Sequence, residues 1–247
     1  MSTALAPLPT ISDSSAAAQT LEALVRRRRA MPGFRDEAVP RTVIDRALHI
    51  AAQAPSGYNF QPWRFLVLQS AEQRARLREA AFDQSKITEA PVVIVATAPR
   101  ETWRERADEI ILAKASHTGR DLAEDPGKLA ELKSSAFAFI DGLPREVWLT
   151  RQVMIAFTYL MLAFESLGYD TAPMEGFDAK AVRAALGLPA DTEIVALLAV
   201  GRGADSAVLH PGRLPVSAIA YDDAYGTAWH EPDPPSGNPA HPPGVVS

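Results

Sequence analysis

The sequence contains no cysteine. Disulfides, thiolate metal ligation and a cysteine nucleophile are therefore excluded, and a reducing compartment, the cytoplasm, is the expected location. Positive charge is also scarce: 25 Lys and Arg stand against 30 Asp and Glu, a formal net charge of -5 over 247 residues. General nucleic-acid binding needs a broad basic surface and is not expected. No apolar run is long enough to suggest a membrane span, since the most apolar stretch, residues 153–167, carries Glu165 and stops at Gly168. The start, "MSTALAPLPTISDSSAAAQT", lacks the basic opening and apolar block of a secretory signal. His49, His117, His210, His230 and His241 show no metal-ligand spacing, so no metal site is expected. Neither a G-x-x-x-x-G-K-[ST] phosphate loop nor a G-x-S-x-G nucleophile elbow occurs. "GRG" at 201–203 lacks the third glycine and following helix of a dinucleotide loop and reads as a turn.

What is present suits a folded domain, with 47% hydrophobic and 22% charged residues. Residues 1–13 read as a flexible leader, 14–228 as one domain and 229–247 as a proline-rich tail. A first helix is expected through "AAAQTLEALVRRRR", with Leu21, Leu24 and Val25 on its apolar side and Pro32-Gly33 ending it. A second covers "VPRTVIDRALHIAAQA". "WRFLVLQ", "PVVIVATA", "YDTAPM" and "EIVALLAVG" read as strands. "AEQRARLREAAF", much of 103–139, "AKAVRAALGL" and a long, almost wholly apolar stretch from "REVWLTRQ" onward read as helices. "RLPVSAIAY" reads as a last extended arm. Interleaved strands and helices give an α/β or α+β class.

Four stretches stand out from plain scaffold: "RRRRAMPGF", "APSGYNFQPWRF", "APMEGFD" and "HPGRLPVSAI". Each is a loop beside a regular element, where sites gather. Together they suit a planar cofactor bearing a phosphate. Arginines would clamp the phosphate, small residues would let backbone approach the ring, and amides would read its edge. Each also has a plain structural reading. Arginines at a helix end compensate its dipole, "APSG" makes a turn, Asp178 caps a helix and Arg213 forms a surface ion pair.

In this order, the four stretches resemble the nitroreductase family over residues 21–221. "RRRRAMPGF" matches a helix ending in R-R-S-x-R-x-F, and "APSGYNFQPWRF" matches A-P-S-x-x-N-x-Q-P-W-x-F. "QSKITEAPVVIV", "LGYDTAPMEGFD" and "GRGADSAVLHPGRLP" follow in the family's order. The resemblance implies an α+β fold with a mixed sheet flanked by helices. It also implies a long central helix at a homodimer interface and a C-terminal arm crossing to the partner. FMN is the implied cofactor and NADH or NADPH the reductant.

Carried over by residue, Arg28 would meet the FMN phosphate, with Arg29 and Ala30 beside it and Arg213 joining from the C-terminal side. Arg26 and Arg27 would be solvated. Pro55, Ser56 and Gly57 would pack on the flavin from the other subunit, with Asn59 shaping that loop. Gln84 would bond the flavin edge or ribityl chain, and Pro173, Glu175 and Gly176 would lie along the ring. Two positions depart from the pattern. Ala30 replaces the usual Ser, and Pro32 replaces a basic residue that supports the pyrimidine end; Lys86 and Arg202 are the candidate substitutes. Tyr58, Phe137 and Phe139 are candidate pocket walls.

The implied activity is ping-pong hydride transfer through flavin N5, with no catalytic residue beyond the flavin. The expected acceptor is a small aromatic or quinone-like molecule, most simply a nitroaromatic reduced to the hydroxylamine. Quinone or enone reduction, or specialised flavin chemistry, would use the same fold. A non-catalytic flavin- or nucleic-acid-binding protein is the reading from another class.

Overall fold

The computed structural model describes residues 14–117, 122–204 and 211–230. The expected leader, and the expected tail beyond residue 230, lie outside these. The chain divides into two compact units, residues 1–208 and 209–247.

The first unit is built on four strands, β1 (Arg64–Leu68), β2 (Val92–Pro99), β3 (Asp170–Met174) and β4 (Thr192–Gly201). Their order in the sheet is β1-β2-β4-β3, and every pairing is antiparallel. The class is α+β. Among the described residues the parallel part of the expected mixed sheet is one bridge, Ala30 to Thr171. β2 is buried along its whole length, as a short uninterrupted apolar run requires. Its side chains alternate: Val92, Ile94, Ala96 and Ala98 enter one core layer, Val93 and Val95 the other. A bulge between Ala96 and Thr97 adds a residue to β4. It changes the parity, so Ile194 and Ala196 fall on opposite faces.

Helices cover both faces. On the first lie α2 (Arg41–Ala51), through Ile44, Ala47 and Ala51, and α7 (Arg145–Ser166), through Leu149, Val153 and Phe157. The layer continues into α5 (Ala107–His117) and α6 (Pro126–Asp141), whose Ala107, Ala136 and Ile140 join Trp103. On the second face lie α3 (Ala71–Ala80), α4 (Lys86–Glu89) and α8 (Ala179–Leu186), anchored by Leu77, Ile87 and Val182. Contrary to the sequence expectation, α7 is long and apolar enough to cross a membrane by length and composition, but half of its most apolar window is buried inside the fold. It packs on α1 (Ser14–Arg27), α2, α6 and three strands, so it is the core helix of this unit.

Helix α1 stops at Arg27, short of the expected end at Pro32-Gly33. The backbone beyond it is captured by strand ends instead. Met31 N–H donates to Thr171 O at 3.1 Å, and Arg35 N–H donates to Arg202 O at 2.8 Å. This close crossing explains the glycine of "GRG": a Cβ on Gly203 would lie 2.8 Å from Met31 Sδ. Leu21 and Val25, expected to be on a covered side, are exposed.

In the second unit the expected extended arm is a 3₁₀ turn, Val216–Ala218, closed by Ala218 N–H on Pro215 O. Residues 220–229 fold back on themselves. Trp229 N–H donates to Ala220 O, and the Tyr221 and Tyr225 rings lie 4.6 Å apart.

Candidate functional site

The first group of expected residues lies along the β3 edge of the sheet. Its anchor is an ion pair missed in the sequence. Arg27 Nε meets Glu165 Oε1 at 2.6 Å, and Arg27 Nη2 donates to Glu165 O at 2.9 Å. The Glu165 side chain is only 5% exposed. Arg27 keeps the expected exposure, its side chain 63% exposed, and from there also supplies the cation for the one buried carboxylate of α7. Arg26 is solvated, paired only with exposed Glu22.

Arg28 follows, half-buried, its N–H closing the last helical bond to Leu24 O at 3.0 Å. Arg28 Nη1 is buried and has no hydrogen-bond partner among the described residues; Arg29 Nε and Thr171 Oγ1 share that condition. Arg29 Nη1 turns back to the carbonyls of Arg26 and Arg28, where the helix dipole favours a cation. Ala30 is exposed and bridges Thr171.

Two residues further along β3 the chain reaches Pro173, half-buried opposite Leu198. Proline is tolerated here because β3 is the edge strand. Glu175 and Gly176 come next, both exposed. Gln84 is brought to them from 92 residues away: its Nε2 donates to Gly176 O at 2.7 Å and to Ala81 O at 3.2 Å. Around this link Asp178 caps α8, accepting from Lys180 N–H and Ala181 N–H, while its own N–H donates to Ala80 O. Phe82 and Asp83 carry positive φ, 53° and 54°, and Asp83 is held by Arg78 Nε at 2.6 Å.

The second group, Pro55, Ser56, Gly57 and Asn59, lies on the other layer against α7. Gly57 N–H donates to Gln152 Oε1 at 2.8 Å, and a Cβ there would sit 3.3 Å from Trp148 Nε1. Ser56 Oγ accepts from Gln61 N–H at 3.0 Å, and Asn59 N–H donates to Ser56 O at 2.9 Å. Tyr58, Asn59 and Gln61 carry positive φ of 55°, 62° and 46°. Three such non-glycine residues in one loop are strain that the surroundings must hold in place. Pro55 and the Asn59 side chain face outward.

Neighbours of Gln84 and Gly176, namely Ala80, Ala81 and Met174, belong to the second-face core. Ala54, Phe60 and Trp148, which seat the loop, belong to the first. Within one chain the structure therefore places the two groups of expected residues on different faces of the sheet. Arg213 lies in the second unit, exposed, with Nη1 on its neighbour's carbonyl, Gly212 O. Of the candidate cations, Arg202 is engaged, 4.8 Å over the Tyr169 ring and donating to Gly168 O. Lys86 is half-buried with no ion pair among the described residues.

Two cavities flank Phe60. One of about 370 Å³ is lined by Asn59, Gln61, Arg64, Arg106 and Glu109 among others. The larger, about 640 Å³, lies between Tyr58 and helices α5 and α6. Of the expected wall residues, Tyr58 lines it. Phe139 stands edge-on to Tyr58 at 6.1 Å, and Phe137 is packed inward against Phe60 and Trp103.

Residues 25–202 match the Nitroreductase family. An NADH dehydrogenase of Thermus thermophilus is 36% identical over 194 residues, 78% of this chain and 91% of that protein. An oxygen-insensitive NAD(P)H nitroreductase of Salmonella typhimurium is 30% identical over 157 residues, 58% of this chain and 70% of that protein. Among solved structures, a candidate nitroreductase in complex with FMN from Exiguobacterium sibiricum superposes with a TM-score of 0.69 at 26% identity, covering 81% of this chain and 95% of that one. The chain belongs to the nitroreductase family, and with it to the FMN-dependent NAD(P)H oxidoreductases.

Proposed function

We propose that two copies of this chain build each FMN site and use NADH or NADPH to reduce a nitroaromatic to the hydroxylamine. The observation that carries the FMN reading is the pair of buried guanidinium nitrogens at the sheet edge, Arg28 Nη1 and Arg29 Nε, without partners among the described residues. A buried donor left unpaired costs about 1–3 kcal/mol, more when charged, and a phosphate oxygen relieves it. The phosphate of FMN fits these nitrogens. Arg28 holds it, and Arg29 and the exposed Ala30 border it.

Gln84 spends its amide N–H groups on Ala81 O and Gly176 O, so its carbonyl oxygen is the atom left to meet the flavin. Pro173, Glu175 and Gly176 lie along the ring. Pro55, Ser56 and Gly57, with Asn59 shaping the loop, close over it from the second copy. The placement of the half-sites on different sheet faces supports a shared site. So do the exposed apolar side chains Leu21 and Val25 on α1 and Val147, Ile155 and Tyr159 on α7, which suit a face covered by the partner. Residues 14–228 act as one functional unit, with 229–247 as an appended tail.

When bound, FMN supplies hydride transfer, taking a hydride from the nicotinamide and giving it to the acceptor in a separate half-reaction, a ping-pong cycle. This chain's residues bind and orient. Lys86 supplies the positive charge that Pro32 does not. The strained loop carries Tyr58 at the acceptor side, and no side chain acts as acid or base. The location is the cytoplasm.

Reconstitution tests the reading. The full chain, loaded with FMN and reduced by NAD(P)H under anaerobic conditions, is mixed with nitrobenzene derivatives and quinones in a stopped-flow instrument. Rapid reoxidation with hydroxylamine as product is expected. A chain that takes up no FMN, or a reduced holoprotein inert to every acceptor, would overturn it.

A further inference from the structure

We propose that Phe82 is the specificity-determining wall of the acceptor site: its ring, set beside Gly176, stacks against a planar aromatic acceptor and selects it over a saturated one. The proposal rests on the flavin reading, because Gly176 and Gln84, which Phe82 adjoins, are residues assigned to the flavin.

The backbone turns this ring outward against its own preference. Ala81 is fully buried in the second-face core, and Phe82, directly after it, is 70% exposed. Phe82 has φ 53° and Asp83 has φ 54°. A bulky side chain in the left-handed region is rare, and two such residues in a row are strained. Burial does not offset the strain, since most of the ring faces water. Contact with another ring does not offset it either. Exposed Phe139 has the Tyr58 ring edge-on at 6.1 Å, and exposed Tyr225 has Tyr221 at 4.6 Å. Phe82 has no ring neighbour among the described residues. Strain that the fold holds without a packing gain points to function.

The turn is strapped from both sides. Asp83 N–H donates to Arg78 O at 3.1 Å, and Arg78 donates through Nε to Asp83 Oδ1 at 2.6 Å and through Nη1 to Thr88 Oγ1 at 3.0 Å. Gln84 N–H donates to Ala81 O at 3.3 Å, and Gln84 Nε2 ties the turn to Gly176 O at 2.7 Å. Gly176 sets how close the ring comes. A Cβ there would lie 3.7 Å from Phe82 Cδ2 and 3.5 Å from Gln84 Nε2, and Gly176 itself is exposed. With the flavin ring along Pro173, Glu175 and Gly176, Phe82 stands at its border. An acceptor lying on the flavin meets a second flat, apolar surface there. Aromatic rings gain from offset-stacked or edge-on contact beyond the area they bury. Nitroaromatics and quinones meet this requirement; an enone on an aliphatic skeleton does not.

Calorimetric titration of the FMN-loaded full chain with 2-naphthamide and its saturated counterpart, decahydro-2-naphthamide, tests this without turnover, since neither is reduced. The loaded parent should prefer naphthamide. Phe82→Ala should weaken naphthamide about 3- to 10-fold, the worth of one aromatic pair, and move the saturated ligand by less than about twofold. Phe82→Leu, apolar but not flat, should behave as the Ala variant, and Phe82→Tyr as the parent. FMN affinity, sedimentation coefficient and denaturation midpoint should match the parent in all three, because so exposed a side chain holds little of the fold together. Unchanged naphthamide binding in the Ala variant, parent-like binding in the Leu variant, loss in the Tyr variant, or no naphthamide binding by the loaded parent overturns the proposal. So does an Ala variant that loosens FMN or sediments as a smaller species, which would make Phe82 a contact of the flavin or of a second copy. A parent chain that takes up no FMN sinks the flavin reading and this one with it. A loaded enzyme active on nitroaromatics, in which Phe82→Ala leaves naphthamide binding unchanged, sinks only this one.

Discussion

The two groups of residues proposed to share the flavin are held by different means. At the sheet edge, residues 27–31 are fixed by the pairing of exposed Arg27 with buried Glu165 and by a backbone bridge to Thr171. In the loop, residues 56–61 are fixed by single hydrogen bonds that hold a strained backbone against Trp148 and Gln152. Residues 27–31 of the edge group carry donors with no partner among the described residues and no positive φ, suited to receiving an anion. The loop half has its backbone groups paired and its conformation strained, suited to presenting a fixed surface.

The largest expected effect is at the ion pair. Arg27→Ala leaves the buried Glu165 carboxylate without its exposed partner and should destabilise the fold by about 2–3 kcal/mol in denaturant titrations. Arg26→Ala, one residue away, removes only an exposed pair and should cost less than about 0.5 kcal/mol. Equal costs would erase the distinction between the neighbours. Next is Arg28→Ala, which should raise the FMN dissociation constant about 10- to 100-fold in a fluorescence titration. FMN-free stability should hold steady or rise, because an unpaired buried donor is removed. On the loop side, Gln152→Leu leaves the Gly57 amide without its acceptor and should cost about 1–2 kcal/mol, read as a lower denaturation midpoint. The smallest effect is Asn59→Gly, which relieves a positive φ and should be neutral or stabilising by up to about 1 kcal/mol. A clear loss of stability there would show that Asn59 does more than shape the loop.

Much of this was legible in the sequence because local rules agreed with the fold. β2 and β4 are short apolar runs, Asp178 is a good helix cap, and "APSGYNFQP" reads as a loop. The end of α1 was not legible: arginines extend a helix readily, and only the strand ends that capture Met31 and Arg35 stop it at Arg27. The role of Glu165 was visible in part, as a carboxylate in an apolar helix, but its partner lies 138 residues away and no local pattern names it. Gln152 gave the same faint signal, a polar residue on a buried face, and was passed over. The length and apolarity of α7 have the converse reason: it is apolar because it is central to the fold.

The claim that two copies complete each site is tested most directly by mixing defective chains. Arg28→Ala spoils the edge half. Pro55→Trp, at an exposed position, blocks the loop half without disturbing the core. Each variant alone should fail to retain FMN. Unfolded together and refolded, half of the random dimers should be mixed, each with one intact site, so FMN retention should recover to about a quarter of all sites. No recovery in a mixture shown to contain mixed dimers would mean that each chain builds its site alone, and would contradict the account.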